Sequence, residues 1–210
     1  MKTLLEGLNW RRAIKKFDLT KKISDADLGD ILMAGNLMPT AYGLQPFRFV
    51  VIADHETKEK LVEHAYGQRH VAENSHLVVI CARTDFNEAM MTEYAERSGT
   101  IRNLPAENVE KFAQGMLKDL GSRTPEAQLA WAQKQAYIAL GGMFAMASEK
   151  GIDCHGLEGF NPAKFNEILG LTELNLHASV LLALGYRPDD VEAEQLKKVR
   201  VLIEQMVIKK

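Results

Sequence analysis

The segment from Pro125 to Gly151 constrains the fold more than any other part of the chain. Proline favours the first turn of a helix and glycine its end, so the segment predicts one long helix. Its centre, Ala136 to Ala147, is apolar nearly all round. Such a helix must be surrounded by protein or lipid. Because no run approaches the roughly eighteen apolar residues of a membrane span, we expect this helix to cross the core of a globular protein.

The rest of the chain predicts further helices and several strands. Ser24 and Asp27 form a capping-box pattern that opens a helix, which Pro39 stops. Runs rich in β-branched or apolar residues predict strands, and charged periodic runs predict helices. The strands are expected at 47–53, 76–84, 152–160 and 176–186, and the helices at 58–66, at 86–120 with a break near Pro105, and at 161–170. Helices outnumber strands and do not alternate regularly with them, so we predict an α+β fold in one domain, 1–210.

Composition excludes several classes of protein. The chain is 46% hydrophobic and 26% charged with a formal net charge of -2, which is typical of a soluble globular protein and argues against broad nucleic-acid binding. The N-terminal apolar stretch is short and is interrupted by Glu6, unlike a signal peptide. Cys81 and Cys154 are too few for a disulfide framework. We therefore expect a cytoplasmic protein with two free thiols, bound neither to membrane nor to nucleic acid.

Common catalytic and cofactor motifs are absent from the sequence. No G-x-G-x-x-G follows a predicted strand, and no phosphate-binding G-x-x-x-x-G-K-[ST] loop occurs. The six histidines are scattered without metal-ligand spacing, so no metal site is predicted. There is no G-x-S-x-G motif. Cys154 and His155 are adjacent in a predicted strand and would point to opposite faces, which argues against a thiolate–imidazole pair.

A basic stretch near the N-terminus suggests an anionic ligand. Six cationic residues fall within twelve positions, namely Arg11, Arg12, Lys15, Lys16, Lys21 and Lys22. Taken alone, such a stretch is more often a solvated surface than a binding site. A slightly acidic chain that concentrates cations in one place nevertheless leaves both interpretations open.

Three other segments have the composition of shaped, ligand-accessible loops. The sequence "PTAYGLQPFRF", beginning at Pro39, lies between a predicted helix and a buried strand. The sequence "GLEGF", beginning at Gly156, follows a strand, and its glycines permit close approach to the backbone. The sequence "KKVR", ending at Arg200, includes Lys198 and Arg200, two more cations two positions apart.

Together these segments resemble the flavin-dependent nitroreductase family in order and spacing. The match comprises Arg-Arg-x-x-Lys-x-Phe, Pro-Thr-Ala-x-x-x-Gln-Pro-Phe, Glu-Gly-Phe and Lys-x-Arg, and it spans Arg11 to Arg200. The resemblance implies a central, mostly antiparallel sheet flanked by helices, in an intertwined homodimer that exchanges C-terminal arms. It also implies tightly bound FMN at the subunit interface. NADH or NADPH would donate electrons transiently, and nitroaromatics, quinones or similar electron-poor molecules would accept them in a ping-pong cycle.

The resemblance also assigns roles to individual residues. It implies that Arg11, Arg12, Lys198 and Arg200 grip the FMN phosphate and that Lys15 lies by the flavin N1–C2 edge. No side chain is implied to be catalytic; the backbone of Glu158 and Gly159 would instead donate to flavin N5. Further cofactor contacts are expected from Ala13, Pro39, Thr40, Ala41, Gly43, Gln45, Gln68, His70, Gln135, Gly156 and Leu157, with Thr40, Ala41 and Gln45 reaching the flavin of the other subunit. Lys16, Lys21 and Lys22 match nothing functional and are expected to be solvated.

Three positions depart from the family pattern and motivate alternatives. Ala13 replaces a usual serine, and Gly43 and Gly67 replace usual asparagines. One alternative is a protein that binds or senses flavin without nicotinamide turnover, and another is a structural dimer without a cofactor. The apolar C-terminal arm likewise has two interpretations: it folds back on its own domain, or it crosses to a partner subunit and adds a strand there.

Overall fold

The computed structural model of the protein describes residues 2–191 and 197–210. Its described strands form one antiparallel sheet in the order β1-β2-β4-β3. The strands are β1 (Phe47–Ile52), β2 (His76–Arg83), β3 (Asp153–Leu157) and β4 (Leu176–Gly185). The helices are α1 (Leu4–Trp10), α2 (Asp25–Asn36), α3 (His55–Val62), α4 (Glu88–Arg102), α5 (Ala106–Met116), α6 (Pro125–Glu149), α7 (Pro162–Leu169) and α8 (Ile203–Met206).

Helices cover both faces of this sheet, so the protein is α+β as the sequence predicts. Alternation along β2 sends Val78 and Ile80 towards α2 and α6, and Leu77 and Val79 towards α3 and α7. The helix α6 crosses the core, and Met143 at its centre is fully buried. No described helix is long and apolar enough to cross a membrane.

A third apolar cluster joins α4 and α5 to the first half of α6. Met91, Met116 and Ala132 are fully buried there. The predicted break near Pro105 is confirmed, because α4 ends at Arg102 and α5 begins at Ala106. This helical extension also packs against Leu44, so it supports the loop that precedes β1.

The sequence-based boundaries agree with the structure within a few residues at most elements. The Ser24 hydroxyl accepts a hydrogen bond from the Asp27 N–H, which confirms the predicted start of α2. The helix expected at 58–66 instead begins at His55, because the Asp54 side chain caps it. Helix α1 was not predicted, although Thr3 and Glu6 form a reciprocal capping box at its start.

Both cysteines are buried in strands, as expected, and they lie in different strands of the sheet. Cys81 is on β2 and Cys154 on β3, and both are free thiols. Burial raises the pKa of each thiol to about 12. Neither thiol is therefore ionised at neutral pH, which argues against a nucleophilic role for either cysteine.

Candidate functional site

The end of α1 collects cations from both ends of the chain. Arg11 follows α1 directly, and its backbone N–H donates to the carbonyl oxygen of Gly7. The Lys198 ammonium donates to the carbonyl oxygen of Arg11 at 2.8 Å and also to that of Leu8. The last carbonyls of a helix lack partners within the helix and attract cations. This local chemistry therefore holds Lys198 beside Arg11.

Electrostatics shows that all four predicted phosphate-binding cations lie near one another. The pKa of Lys198 is lowered by burial first, and then by the positive charges of Arg11, Arg12 and Arg200. The Arg12 guanidinium also donates to the carbonyl oxygens of Asn9 at 2.5 Å and of Trp10 at 3.1 Å. Arg12 therefore supplies hydrogen-bond donors to the last carbonyl groups of α1. We call Arg11, Arg12, Lys198 and Arg200 the cationic cluster.

Residues 13–15 follow the cluster and run beside β3. Ala13 forms a parallel bridge with Cys154, and the carbonyl oxygen of Ile14 lies 3.2 Å from Nδ1 of His155. Lys15 comes next; its side chain is exposed, and its charge lowers the pKa of His155. The bridge thus places Lys15 alongside the end of β3, close enough for its charge to lower the pKa of both His155 and His70.

Two imidazoles stack on each other near Lys15. The ring centroids of His70 and His155 are 4.5 Å apart, and the rings are 24° from parallel. His70 is 5% exposed, and within the described residues its Nε2 has no hydrogen-bond partner. Burial, His155 and Lys15 lower the pKa of His70 to about 4. Burial also lowers the pKa of His155, as do the positive charges of Lys15 and Arg11, so both rings are neutral at pH 7.

The turn after β3 is fixed by side chains from two directions. The Tyr137 hydroxyl donates to Oε1 of Glu158 at 2.6 Å, and burial together with this bond raises the pKa of Tyr137. The Gln68 carboxamide donates to the carbonyl oxygen of Gly159 at 2.7 Å. In the part of the chain that the structure describes, the backbone N–H groups of Glu158 and Gly159 have no acceptor. They are therefore donors that a ligand can use.

The turn and the cationic cluster are joined through one aromatic ring. The Arg11 guanidinium lies 5.2 Å from the centroid of Phe144. A Cβ added at Gly156 would lie 2.7 Å from Cζ of the same ring. Glycine at 156 is thus required for the ring to lie between β3 and Arg11. Leu157 is buried beneath the turn, on the face of the sheet that carries α3 and α7.

The loop from Pro39 to Gln45 is a separate, tightly held structure. The Gln135 carboxamide oxygen accepts from the Ala41 N–H at 2.9 Å, and the Thr40 hydroxyl accepts from the Gln45 N–H at 3.1 Å. The Gln45 carboxamide donates to the carbonyl oxygen of Asn36 at 2.7 Å. Gln135, which the resemblance places among the cofactor contacts, is buried and holds this loop.

Gly43 in this loop explains one departure from the family pattern. It has a positive φ of 75°, and an added Cβ would lie 2.3 Å from the Tyr94 hydroxyl oxygen. An asparagine at 43 would therefore require Tyr94 to move. Among the described residues, no hydrogen bond, ion pair or ring contact joins the loop from Pro39 to Gln45 to Arg11, to Lys198 or to the Glu158 turn.

The structure thus arranges the predicted residues in two groups. One group combines the cationic cluster with Ala13, Lys15, Gln68, His70, Gly156, Leu157, Glu158 and Gly159. The other combines Pro39, Thr40, Ala41, Gly43 and Gln45 with Gln135. Sequence reasoning gave no role to His155, Tyr137 or Phe144. The alternation of side chains along β3 correctly predicts that His155 and Cys154 point to opposite faces. It cannot predict that His155 stacks on His70, which is 85 positions away in the sequence.

The remaining lysines of the N-terminal stretch lie apart from this cluster. Lys16 pairs with Asp190 at 3.3 Å, and Lys21 pairs with Asp189 at 3.0 Å. Lys22 is exposed. They are solvated, as expected.

Comparison with known proteins identifies the family of the chain. Residues 8–186 match the model of the nitroreductase family. A Bacillus subtilis protein named "Putative NAD(P)H nitroreductase YfkO" is 36% identical over 200 residues, which covers 89% of this chain and 90% of that protein. A solved structure described as "a putative nitroreductase in complex with FMN", from Exiguobacterium sibiricum, superposes with a TM-score of 0.84 at 20% identity and covers 100% of this chain and 98% of that one. A nitroreductase family protein from Streptococcus pneumoniae gives a TM-score of 0.84 at 22% identity, with 99% and 100% coverage. The chain belongs to the nitroreductase family.

Proposed function

We propose that this chain is an FMN-dependent oxidoreductase that takes electrons from NADH or NADPH and passes them, in a ping-pong cycle, to a nitroaromatic, a quinone or a similar electron-poor molecule. The observation that carries the proposal is the contact between Lys198 and the carbonyl oxygen of Arg11, two residues 187 positions apart. It gathers cations from both ends of the chain beside the Glu158 turn. The proposal includes tight binding of FMN and the use of NADH or NADPH as a transient electron donor.

The charges of the cluster fit the phosphate of FMN. Among the described residues, no carboxylate forms an ion pair with Arg11, Lys198 or Arg200. Like charges held together in this way favour binding of an anion, and a phosphate monoester carries nearly two negative charges. Arginine adds a planar fork of donors that matches phosphate oxygens. The residues present therefore suit the cofactor that the family membership implies.

The polar groups near the turn fit the flavin ring. When bound, FMN supplies a ring nitrogen, N5, that accepts hydride from the nicotinamide and later returns it to the acceptor. The N–H groups of Glu158 and Gly159 would hold N5 from the edge of the ring. Lys15 would stabilise negative charge at the N1–C2 edge, as enzymes place cations where charge develops. Neutral His70 and His155 leave that role to Lys15 alone.

The second group of residues supports a homodimer. Within the described part of the chain, the loop from Pro39 to Gln45 shares no hydrogen bond, ion pair or ring contact with Arg11, Lys198 or the Glu158 turn, and we infer that it contributes to the cofactor site of the partner subunit. Large exposed apolar side chains mark surfaces that a partner would cover, among them Leu5 at 78%, Leu37 at 74% and Ile208 at 83% exposure. We propose a single domain, 1–210, that forms a cytoplasmic homodimer with exchanged C-terminal arms.

The visible spectrum of the purified protein tests this proposal first. We expect flavin bands that are bleached by anaerobic addition of NADH or NADPH. Arg11→Ala should lose most of the bound flavin. Lys16→Ala is the matched control, because Lys16 belongs to the same basic stretch but pairs with Asp190. A colourless protein that does not take up FMN, or equal flavin content in both variants, would contradict the proposal.

A second candidate function is flavin binding without nicotinamide turnover. Ala13 and Gly43 favour it, since each lacks a polar side chain that is usual in the family. Flavin bands that persist with both nucleotides would support this candidate. Reoxidation of a bleached flavin by a nitroaromatic or a quinone would support the oxidoreductase and identify the class of acceptor.

A further inference from the structure

The Nε2 atom of His70 is a buried polar group to which the proposed function gives no role. Within the part of the chain that the structure describes, two buried side chains have a polar atom without a hydrogen-bond partner, at His70 Nε2 and Ser98 Oγ. A buried polar atom without a partner lowers the stability of a protein, and functional groups are among the exceptions that proteins keep. Ser98 lies on α4, whereas His70 stacks on a residue of β3 beside the candidate cofactor site.

The imidazole stacked on His70 is already engaged. Nδ1 of His155 lies 3.2 Å from the carbonyl oxygen of Ile14, and because a carbonyl oxygen only accepts, this nitrogen carries the ring proton. Lys15 and Arg11 both oppose a positive charge on His155, whereas Lys15 is the cation that opposes one on His70. A proton can therefore be added at Nε2 of His70 without loss of any hydrogen bond among the described residues.

Few charges act on His70 in the described part of the chain. Lys15 faces it from the segment that follows the cationic cluster, and the stacked imidazole of β3 faces it as a neutral ring. On its own turn, Arg69 forms ion pairs with Glu59 of α3 and with Glu73. Burial and Lys15 therefore keep the His70 ring neutral as long as no negative charge is placed beside it.

Reduction of the cofactor places such a charge nearby. Hydride transfer from a nicotinamide adds two electrons and one proton to the flavin, so the ring system gains one negative charge. In the proposed function this charge develops at the N1–C2 edge, beside Lys15. A negative charge close to an imidazole favours its protonated form. Because His70 is 5% exposed, little water screens this interaction.

We propose that His70 is a proton site coupled to reduction of the flavin: in mildly acidic solution its Nε2 binds one proton from solvent when hydride arrives and releases it when the acceptor is reduced. The inference rests on the proposed function and identifies where a second proton is held. The hydride and this proton together supply two electrons and two protons. Reduction of a quinone to a hydroquinone, or of a nitro group to a nitroso group and water, consumes the same number of each. At neutral pH the ring stays neutral.

The NMR signals of the imidazoles test the inference in the wild-type holoprotein. Protein with ¹⁵N-labelled histidine and bound FMN is recorded at a series of pH values, oxidised and then reduced anaerobically with dithionite. At pH 5.5 the oxidised protein should show a neutral His70, whose pKa is about 4, and the reduced protein an imidazolium. We expect reduction to raise the proton affinity of His70 at least about tenfold. Through-space contacts between the two stacked rings identify their signals without any variant.

The reduction potential of the bound flavin is the second measurement. In mild acid the wild type should take up two protons for two electrons, and the pH dependence of its potential should show this. His70→Gln should take up one proton over the same range. His155→Gln should behave as the wild type, because glutamine can still donate to the carbonyl oxygen of Ile14. His55→Gln is the control for loss of an exposed histidine.

Three results would overturn the inference. The first is a His70 signal that remains neutral in reduced protein at pH 5.5; two protons taken up in that case would place the second on the flavin itself. The second is a two-proton dependence that persists in His70→Gln. The third is a two-proton dependence that His155→Gln abolishes, since the proton would then be bound by His155.

Dithionite separates this inference from the proposed function, because it reduces flavin without a nicotinamide. Flavin that is reduced by dithionite but not by NADH or NADPH would contradict the proposed function, while protonation of His70 in that sample would still support the inference. Flavin that a nicotinamide bleaches beside a neutral His70 at pH 5.5 would contradict the inference alone. A protein that takes up no FMN would contradict both.

Discussion

The imidazole of His70 stacks on that of His155 with 4.5 Å between ring centroids, and both rings lie close to the ammonium of Lys15. The two histidines come from a short helical turn before β2 and from β3. Because neither ring is charged at neutral pH, the pair adds no positive charge beside Lys15. This arrangement lowers the free energy of unfolding when the pH is lowered.

We predict that His70 destabilises the folded protein in mild acid. Its pKa is about 4 in the folded protein, below the ordinary value of 6.5. Between pH 6.5 and 4 the unfolded chain therefore binds a proton that the folded chain does not. The free energy of unfolding should fall by up to about 3 kcal/mol as the pH drops through this range. Urea unfolding at a series of pH values measures it.

His70→Gln should reduce this loss of stability, because glutamine keeps hydrogen-bonding groups without titrating. His55→Gln changes an exposed histidine and is the control. An acid-induced loss of stability that is equal in wild type and His70→Gln would show that other groups cause it.

Lys58 predicts a pH dependence of the same sign at the alkaline end. Lys58 is 1% exposed, and its ammonium donates to the backbone oxygen of Asn74 at 2.8 Å and to its Oδ1 at 3.1 Å. Burial lowers the pKa of Lys58 from 10.5 to about 8. The folded protein thus releases this proton at a lower pH than the unfolded chain does. The free energy of unfolding should rise between pH 8 and 10.5, by up to about 3 kcal/mol.

Lys58→Met should remove most of that rise while filling a similar volume. Lys60→Met is the matched control, since Lys60 is an exposed lysine of the same helix that pairs with Glu56. Unfolding in urea from pH 7 to 10.5 provides the measurement. Parallel pH profiles for wild type and Lys58→Met would refute the assignment.

Local patterns predicted much of the fold, because each signal lies within one segment. The β-branched run at β1 and the apolar centre of α6 need no distant partner to be recognised. Helix α1 was missed because its apolar residues Leu4 and Leu5 are largely exposed, so no buried face marks it. Only Thr3 and Glu6 indicated its start.

Contacts between distant segments could not be obtained from these patterns. The cations Arg11 and Lys198 were grouped by family resemblance, whereas their physical link is a hydrogen bond to a helix-end carbonyl. The stacking of His70 on His155 depends on the packing of a turn against β3. The hydrogen bond from the Ala41 N–H to Gln135 depends on where the loop from Pro39 to Gln45 packs against α6.

The contact between Gly43 and Tyr94 predicts a rescue by a second substitution. Gly43→Asn would place Cβ 2.3 Å from the Tyr94 hydroxyl oxygen, while the next atom, Cζ, is 3.4 Å away. We expect Gly43→Asn to destabilise the protein by about 1–3 kcal/mol. Adding Tyr94→Phe removes the clashing atom and should restore most of this loss in thermal unfolding.

Gly67→Asn is the control for backbone strain in this comparison. Gly67 has a φ of 71°, close to the 75° of Gly43, but no atom lies within 4 Å of its added Cβ. Gly67→Asn should therefore lose only the stability that a non-glycine residue loses in the left-handed backbone conformation, which asparagine tolerates well. Equal destabilisation by Gly43→Asn and Gly67→Asn would mean that strain, and not Tyr94, excludes asparagine at 43.

Lys198 predicts a defect specific to the phosphate of the cofactor. Lys198→Met removes one cation of the cluster together with its hydrogen bonds to the carbonyl oxygens of Leu8 and Arg11. We expect the dissociation constant for FMN to rise roughly 10- to 100-fold, the equivalent of one charge-assisted contact. Riboflavin lacks the phosphate, so its affinity should change little. Lys16→Met should leave the affinity for both ligands unchanged. Fluorescence titration of the apoproteins with FMN and with riboflavin measures the dissociation constants of both variants and of the wild type. Equal weakening of FMN and riboflavin would mean that Lys198 supports the end of α1 and does not bind the phosphate.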